Sequence, residues 1–434
     1  MKSPKTYPYN AVLVDGARIP FQKSATAYND LMAYDLGRMA IQGLLARNPI
    51  DPASIDQVIM GNVIQEVRTS NVARESALGA GIPNSVPAFT SSMACISSNQ
   101  AITAGIDQIR SGQAKIILAA GTETMSDIPV RFKKKFRQKV LAARKYRSPL
   151  DFLGFLKGLR FKDLAPELPA IAEFSTGETM GQSADRMAAM FGVSRNDQDE
   201  FAMRSHITAA KATEEGLLDQ ELIPAKVPPK FDVVKYDNGF RGDTSMEKLG
   251  KLRPAFIKPH GTITAGNASF LTDGASACLI MEEKTALELG LTPKAYLHEY
   301  SYVAQDPGDE LLLGPAYAMP KVMDAINLTL GDIDVFELHE AFAGQVLSVL
   351  TALESDEFAK KSLGRDKAIG EIPMDKLNTW GGSLSLGHPF GATGVRIVTT
   401  AANRLHHEDG TYALVAACAA GGQGHAIVLE RYPS

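Results

Sequence analysis

Leu44 to Met60 reads LLARNPIDPASIDQVIM: the end of a helix, a linker broken by Pro49 and Pro52, the pair Ile55-Asp56, and a short apolar strand. Met323 to Phe336, MDAINLTLGDIDVF, gives the same succession in the second half of the chain. Outward from the first copy lie a strand at Ala11 to Asp15, a turn at Gly16 to Pro20, a helix around Leu31 to Leu45, a helix at Asn71 to Gly81, and a strand at Lys115 to Ala120 that closes on Gly121-Thr122-Glu123. Ala413 to Ala417, ending at Cys418, repeats the strand-then-small-residue character of that last element. Strands alternating with helices predict an α/β layered architecture. The repetition predicts two similar α/β halves whose facing strand ends enclose one site. The first half is expected over 1–125, completed by about 261–288, and the second over 289–434. Between them, 126–260 differs in composition and reads as an inserted domain, with helical pattern from Gly181 to His206.

The composition, 45% hydrophobic and 22% charged over 434 residues, is that of a globular chain with room for two or three domains. A net charge of −4 argues against a dedicated nucleic-acid binder. Cys95, Cys278 and Cys418 are too few and too scattered for a disulfide framework or a zinc site, which suits a reducing compartment. No signal or transit pattern and no apolar run of membrane-spanning length is visible, so the expectation is a cytoplasmic protein. One segment departs from the mean: Asp127 to Ala165 holds twelve Lys or Arg against three Asp, +9, which leaves −4 − 9 = −13 on the rest. Its basic first part, with Lys133, Lys134 and Lys135, leads into an apolar second part, Leu150 to Phe161. That combination suits peripheral contact with an anionic membrane through 127–165, or a partner's surface.

Chemistry concentrates in a few stretches. Cys95 sits in Ser92-Met93-Ala94-Cys95-Ile96-Ser97-Ser98-Asn99-Gln100, just before a helix with Ile102, Ile106 and Ile109 on one face. The free N–H groups at a helix start favour a thiolate, the nucleophilic form. Gly261 to Ser269 has side chains small enough to let a ligand approach the backbone. His339 follows an apolar strand, His388 stands in the turn Gly387-His388-Pro389-Phe390-Gly391, and Cys418 leads into Ala419-Ala420-Gly421-Gly422. Strand ends and Gly-rich turns are where α/β enzymes carry their reactive groups. Two thiols, a base and an oxyanion site would suffice for acyl transfer.

Along nearly its whole length the chain resembles the thiolases. The motifs are GHPxGATG at Gly387 to Gly394, NASFLTDGAS at Asn267 to Ser276, and Cys-x-x-Gly-Gly-x-Gly from Cys418. The phrases Leu164 to Pro169, Asn378 to Leu386 and Ala416 to His425 are similar to the fatty-acid β-oxidation type, including the β-subunit of trifunctional complexes. The resemblance implies a duplicated five-layered α-β-α-β-α core with an inserted loop domain, and thiolytic cleavage of 3-ketoacyl-CoA through a Cys95 thioester. It implies that His388 accepts the Cys95 proton and later activates CoA, and that Cys418 handles the α-proton. His388 with a water would form one oxyanion hole, and the backbone N–H groups of Cys95 and Ala420 the other. No tightly bound cofactor is implied, and coenzyme A enters as a substrate. Ser269 and Ala265 match positions near the pantetheine, Met180 and Phe256 apolar walls, and Arg241 the adenine end, with Phe342 a further substrate or CoA contact. A homodimer or homotetramer and a hydratase/dehydrogenase α-subunit partner are further implications.

Two departures from the commonest thiolase pattern stand out. His339-Glu340-Ala341-Phe342 replaces Asn-Glu-Ala-Phe, which puts a titratable group where an asparagine holds the oxyanion-hole water. Cys-Ala-Ala-Gly-Gly replaces Cys-Ile-Gly-Gly-Gly, so the residue offering its N–H carries a Cβ. A decarboxylating condensing enzyme shares the fold and uses one cysteine with two histidines, but it has no need of a second thiol; Cys418 therefore favours thiolase. The alternative within the family is an acetoacetyl-CoA thiolase, and the non-enzymatic alternative is a thiolase-like lipid-binding protein, disfavoured by the presence of Cys95, His388 and Cys418 together.

Overall fold

The structure, a computed structural model, describes residues 7–167 and 172–433. Residues 1–6, 168–171 and 434, and the side chains of 152–154 and 156, lie outside that description, and with them part of the Leu164 to Pro169 phrase and of the apolar run after Leu150.

The first half contributes β1 (Ala11–Arg18), β2 (Gln57–Gly61), β3 (Ala88–Ser91), β4 (Ile116–Glu123) and β5 (Thr272–Glu282). The second contributes β6 (Ala295–Ala304), β7 (Val335–Leu338), β8 (Tyr412–Ala419) and β9 (Gln423–Arg431). They hydrogen-bond in the order β7-β8-β9-β6-β1-β5-β4-β2-β3. In one half β2 is parallel to β4, β4 antiparallel to β5, and β5 antiparallel to β1. In the other, β7 is parallel to β8, β8 antiparallel to β9, and β9 antiparallel to β6. The two plans are the same, and the strands matched by the repeated sequence, β2 with β7 and β4 with β8, occupy equivalent places. Even the bulges correspond, after Leu13 in β1 and after Leu297 in β6. The halves join where Val12 pairs with Tyr296 and Leu13 with Ala295.

Around the strands lie α1 (Ala33–Arg47), α2 (Val72–Gly79), α3 (Ser97–Arg110), α4 (Met180–Met190), α5 (Arg195–Glu214), α6 (Gly314–Ala325), α7 (Ala343–Leu353) and α8 (Thr393–His407). Successive strand residues face opposite sides. In β4, Ile116, Leu118 and Ala120 pack towards α1 and α2, whereas Ile117 and Ala119 pack towards α3. In β8, Leu414, Ala416 and Cys418 pack towards α6 and α7, whereas Ala413, Val415 and Ala417 pack towards α3 and α8. The result is five layers, with α3 and α8 between the two half-sheets. Strands covered on both faces read as continuous apolar runs. Ile102, Ile106 and Ile109 of α3 are exposed by 1% or less, each contributing about 1.5–3 kcal/mol by burial.

The N-termini of α3 and α8 meet because Gly394 has no side chain: a Cβ there would stand 2.3 Å from Asn99 Oδ1. Gly121 serves the same approach, since its Cβ would lie 2.0 Å from the Gly391 carbonyl oxygen.

The helical stretch expected from Gly181 to His206 is two helices. The chain turns at Gly192, φ +68°, and Ser194 caps α5 by accepting from the Asp197 N–H. Ala184, Met187, Phe201 and Ala202 of this pair join the core of the second half, against α6 and α7. The earlier part of the insertion is an arm. Arg131-Phe132 pairs with Pro166-Glu167, and between them helices Lys134–Ala143 and Pro149–Leu156 meet through Phe136, whose ring lies 5.1 Å from Phe132 and 5.9 Å from Phe155. Val140, Leu141, Leu150 and Phe161 remain exposed on it. Among the described residues no helix is long and apolar enough to cross a membrane.

Candidate active site

Cys95 stands two residues before α3 and His388 five residues before α8, so the contact between those helix starts brings nucleophile and base together. Ala94, just before Cys95, holds a left-handed conformation, φ +47°; for a residue with a Cβ this costs on the order of 1–3 kcal/mol. His388 is anchored where its N–H donates to Thr272 Oγ1 at 3.0 Å. His339 directly follows β7, its backbone N–H donating to the Ala416 carbonyl. Cys95 Sγ and a ring nitrogen of each histidine all lie within 4.8 Å of one another. The two imidazoles are 4.0 Å apart, centre to centre.

Hydrogen bonding assigns the histidines different roles. His388 Nδ1 is 2.6 Å from Thr393 Oγ1, and that hydroxyl donates to the Pro389 carbonyl at 3.1 Å. With its proton committed to Pro389, Thr393 accepts from His388 Nδ1–H, and Nε2 keeps its lone pair towards the cavity. His339 Nδ1 is 2.9 Å from Ser383 Oγ, which already accepts from Arg396 at 2.8 Å. Among the described residues His339 Nδ1 is the acceptor that the Ser383 proton meets, which places the His339 proton on Nε2. One histidine thus offers an acceptor and the other a donor. Both Nε2 atoms are buried and have no partner among the described residues.

His388 opens on a cavity of about 410 Å³ that Cys95, Cys418 and Ala420 also line, with His339 set behind it against the His388 ring. Of the residues expected near CoA, Met180, Phe256, Ser269 and Phe342 line it, and the Phe256 and Phe342 rings stack edge-on at 5.9 Å. Ala265 and Arg241 do not; both are exposed outside it. The Arg241 N–H donates to His206 Nδ1. Val63, Ile64, Leu271, Leu312 and Phe390 complete an apolar wall that the sequence reading did not identify.

Residues 11–284 match the thiolase N-terminal domain, and 291–431 the thiolase C-terminal domain. The chain belongs to the thiolase family. It is 58% identical over 424 residues, 98% of this chain and 89% of the relative, to the human protein named mitochondrial trifunctional enzyme subunit beta. It is 43% identical over 418 residues, 96% of each chain, to the 3-ketoacyl-CoA thiolase of Yersinia enterocolitica. The crystal structure of human mitochondrial 3-ketoacyl-CoA thiolase superposes with a TM-score of 0.84 at 30% identity, covering 98% of this chain and all of that one.

In this thiolase the expected activation of Cys95 by its helix start is outweighed. Burial pushes the thiol up to about 11, although the N–H groups of Ala420 and of Cys95 itself are directed at the sulfur and Glu123 adds a smaller upward push. Burial likewise pushes Cys418 up, and the neighbouring Cys95 adds to it. Burial and, less, the Arg396 guanidinium push His388 down to about 3. His339 is held well below the ordinary histidine range by burial, His388 and Arg396. All four shifts favour the neutral forms of the two thiols and the two imidazoles. The Cβ at Ala420 is harmless to the loop, because the left-handed positions fall on Gly421 and Gly422, φ +87° and +65°.

Four supporting residues escaped the sequence reading. Thr393 and Ser383 fix the imidazoles as described. Arg396, buried with Glu337 3.6 Å away, holds Ser383. Glu123, at the end of β4, accepts from the N–H groups of Val63, Ile64 and Gly391 at 3.0–3.1 Å and from Asn62 Nδ2 at 3.1 Å. It clamps the cavity wall to the loop that carries His388. Thr393 lay within the quoted Gly-Ala-Thr-Gly motif, Ser383 within the phrase Asn378 to Leu386 and Glu123 at the end of Gly121-Thr122-Glu123, but none carried a signal of its role, and Arg396 lay in no quoted stretch.

Proposed function

We propose that this chain is a 3-ketoacyl-CoA thiolase of the fatty-acid-degrading type. The carrying observation is that two thiols, an acceptor imidazole and convergent backbone donors open on one apolar-walled cavity. Cys95 attacks the 3-keto carbon as His388 Nε2 takes its proton, and the N–H groups of Cys95 and Ala420 belong to one oxyanion hole. His339 Nε2–H is placed to hold a water for the other; loss of one such donor costs about 2.7–4 kcal/mol of barrier. The bond between C2 and C3 breaks, and Cys418 protonates the acetyl-CoA enolate. The proton on His388 then returns to the Cys418 thiolate. In the second half-reaction His388 deprotonates the CoA thiol, which attacks the thioester, and the proton passes on to Cys95 as acyl-CoA leaves. CoA acts as a substrate and the cycle needs no bound cofactor.

A decarboxylating enzyme would have no use for the thiol of Cys418. Cys418→Ala is the test: it forms the acyl-enzyme from a simple acyl-CoA but fails at cleavage and condensation. Near-normal thiolysis by that variant would remove Cys418 from the mechanism.

The arm at 131–167 is proposed as the contact for a partner subunit. A basic helix beside exposed Leu141, Leu150 and Phe161 supports this, as does the likeness to a protein named as a subunit of a trifunctional enzyme. Replacing Lys133, Lys134 and Lys135 with Glu abolishes copurification of a hydratase/dehydrogenase subunit. Retained copurification, with loss instead of cosedimentation on anionic vesicles, would assign the arm to membrane contact.

A further inference from the structure

We propose that the free enzyme binds one thiophilic divalent cation, of the zinc class, between Cys95, His339 and His388, and that this closes the site reversibly. No stretch of sequence carries a zinc motif, because the three residues come from three distant segments. The fold nonetheless brings one sulfur and two imidazole nitrogens within 4.8 Å of one another. His339 is 0% and His388 3% exposed, and neither Nε2 has a partner among the described residues. Each Nδ1 is tied to a hydroxyl, Ser383 or Thr393, the outer bonding that orients metal-bound imidazoles.

Zinc sits about 2.3 Å from sulfur and about 2.0–2.1 Å from nitrogen, which places tetrahedral donors about 3.5 Å apart. Side-chain shifts of about an ångström close the remaining gap, and the fourth position falls on the side where Cys95 and His388 line the cavity. A donor set of one thiolate and two imidazoles, without carboxylate, selects zinc, cobalt or copper over magnesium or calcium.

Binding is a ligand exchange with no redox change. Cys95 releases its proton to solvent as the metal–sulfur bond forms. His388 already offers a lone pair at Nε2. On His339 the proton moves from Nε2 to Nδ1, and Ser383 Oγ accepts from it with its second lone pair, beside the one that Arg396 uses, while the hydroxyl proton turns away. An acylated Cys95 has lost the sulfur donor, so the thioester intermediate has no site. The proposal needs the donor geometry alone and stands or falls apart from the choice of acyl substrate.

Cobalt(II) is the probe, titrated into tag-free full-length protein. One equivalent should produce a thiolate-to-cobalt charge-transfer band and the visible bands of a tetrahedral ion, both displaced by Zn²⁺. Cys95→Ala should lack the charge-transfer band, Cys278→Ala should keep it, and enzyme pre-acylated with acyl-CoA should not form it. His339→Asn should weaken binding by more than about tenfold, with His388→Asn as the second variant should the first not fold. Zn²⁺ should inhibit in competition with acyl-CoA, and a chelator should restore activity. A band that persists in Cys95→Ala, equal affinity in wild type and both histidine variants, or no saturable cobalt spectrum would each overturn the proposal.

Discussion

Replacing Thr393 with valine keeps the side-chain shape and removes the 2.6 Å contact to His388 Nδ1, together with the 3.1 Å bond to the Pro389 carbonyl, which keeps the Ala392 and Thr393 N–H groups as donors. Two effects follow, and they are measured separately. In the resting enzyme a buried N–H loses its acceptor, which costs about 1–3 kcal/mol of stability. In the transition state His388 is becoming an imidazolium, and the lost bond is charge-assisted, worth about 1.5–3 kcal/mol. At 1.36 kcal/mol per tenfold, kcat/KM should fall by about 10- to 150-fold. Cys95 acylation should slow in proportion, because the same base serves that step. The assay is CoA-dependent loss of 3-ketoacyl-CoA, with single-turnover acylation and a urea titration on the same preparation. Thr393→Ser, which restores the hydroxyl, should recover most of the rate. A valine variant within about twofold of wild type, equally stable, would refute the assignment of Thr393 as the group that orients His388.

His339→Asn should retain substantial activity, because an amide can hold the oxyanion-hole water, whereas His388→Asn should lose nearly all of it; equal losses in steady-state thiolysis would make both histidines bases. Burial pushes the Cys95 thiol up to about 11, so its alkylation by iodoacetamide in the free enzyme should climb about tenfold per pH unit through the range where an ordinary thiol levels off. A plateau near neutral pH would mean a stabilised thiolate. Glu123→Ala strands the N–H groups of Val63, Ile64 and Gly391, so the urea midpoint should drop by the equivalent of about 1–3 kcal/mol or more, and KM should rise as the wall at Val63 and Ile64 shifts. An unchanged midpoint and KM would show that these donors find other partners.

The layered duplication was legible because strands buried on both faces leave unbroken apolar runs, as in Ile116 to Ala120 and Ala413 to Ala417, and because the same helix-to-strand passage is written twice. The position of Cys95 before α3 was legible from local composition alone. Its protonation state was not: a helix start is a local feature, whereas the desolvation that outweighs it comes from tertiary surroundings that distant segments supply. Glu123 and Arg396 were invisible for a related reason, since their partners lie far along the chain and only the folded layers bring them together. The break at Gly192 was written in Gly192-Val193-Ser194, a stop followed by a cap, but the helix-forming residues on either side masked it. Arg241 and Ala265, placed by likeness to family positions, lie outside the cavity that Met180, Phe256, Ser269 and Phe342 line.

The central claim is that Cys95 carries the acyl group. Brief incubation of the free enzyme with acyl-CoA in the absence of CoA, acid quench and peptide mass spectrometry test it directly. The Cys95 peptide should gain the mass of one acyl group and lose it on addition of CoA. Acylation found on Cys418 or Cys278 instead, or on no cysteine while thiolysis proceeds, would contradict it.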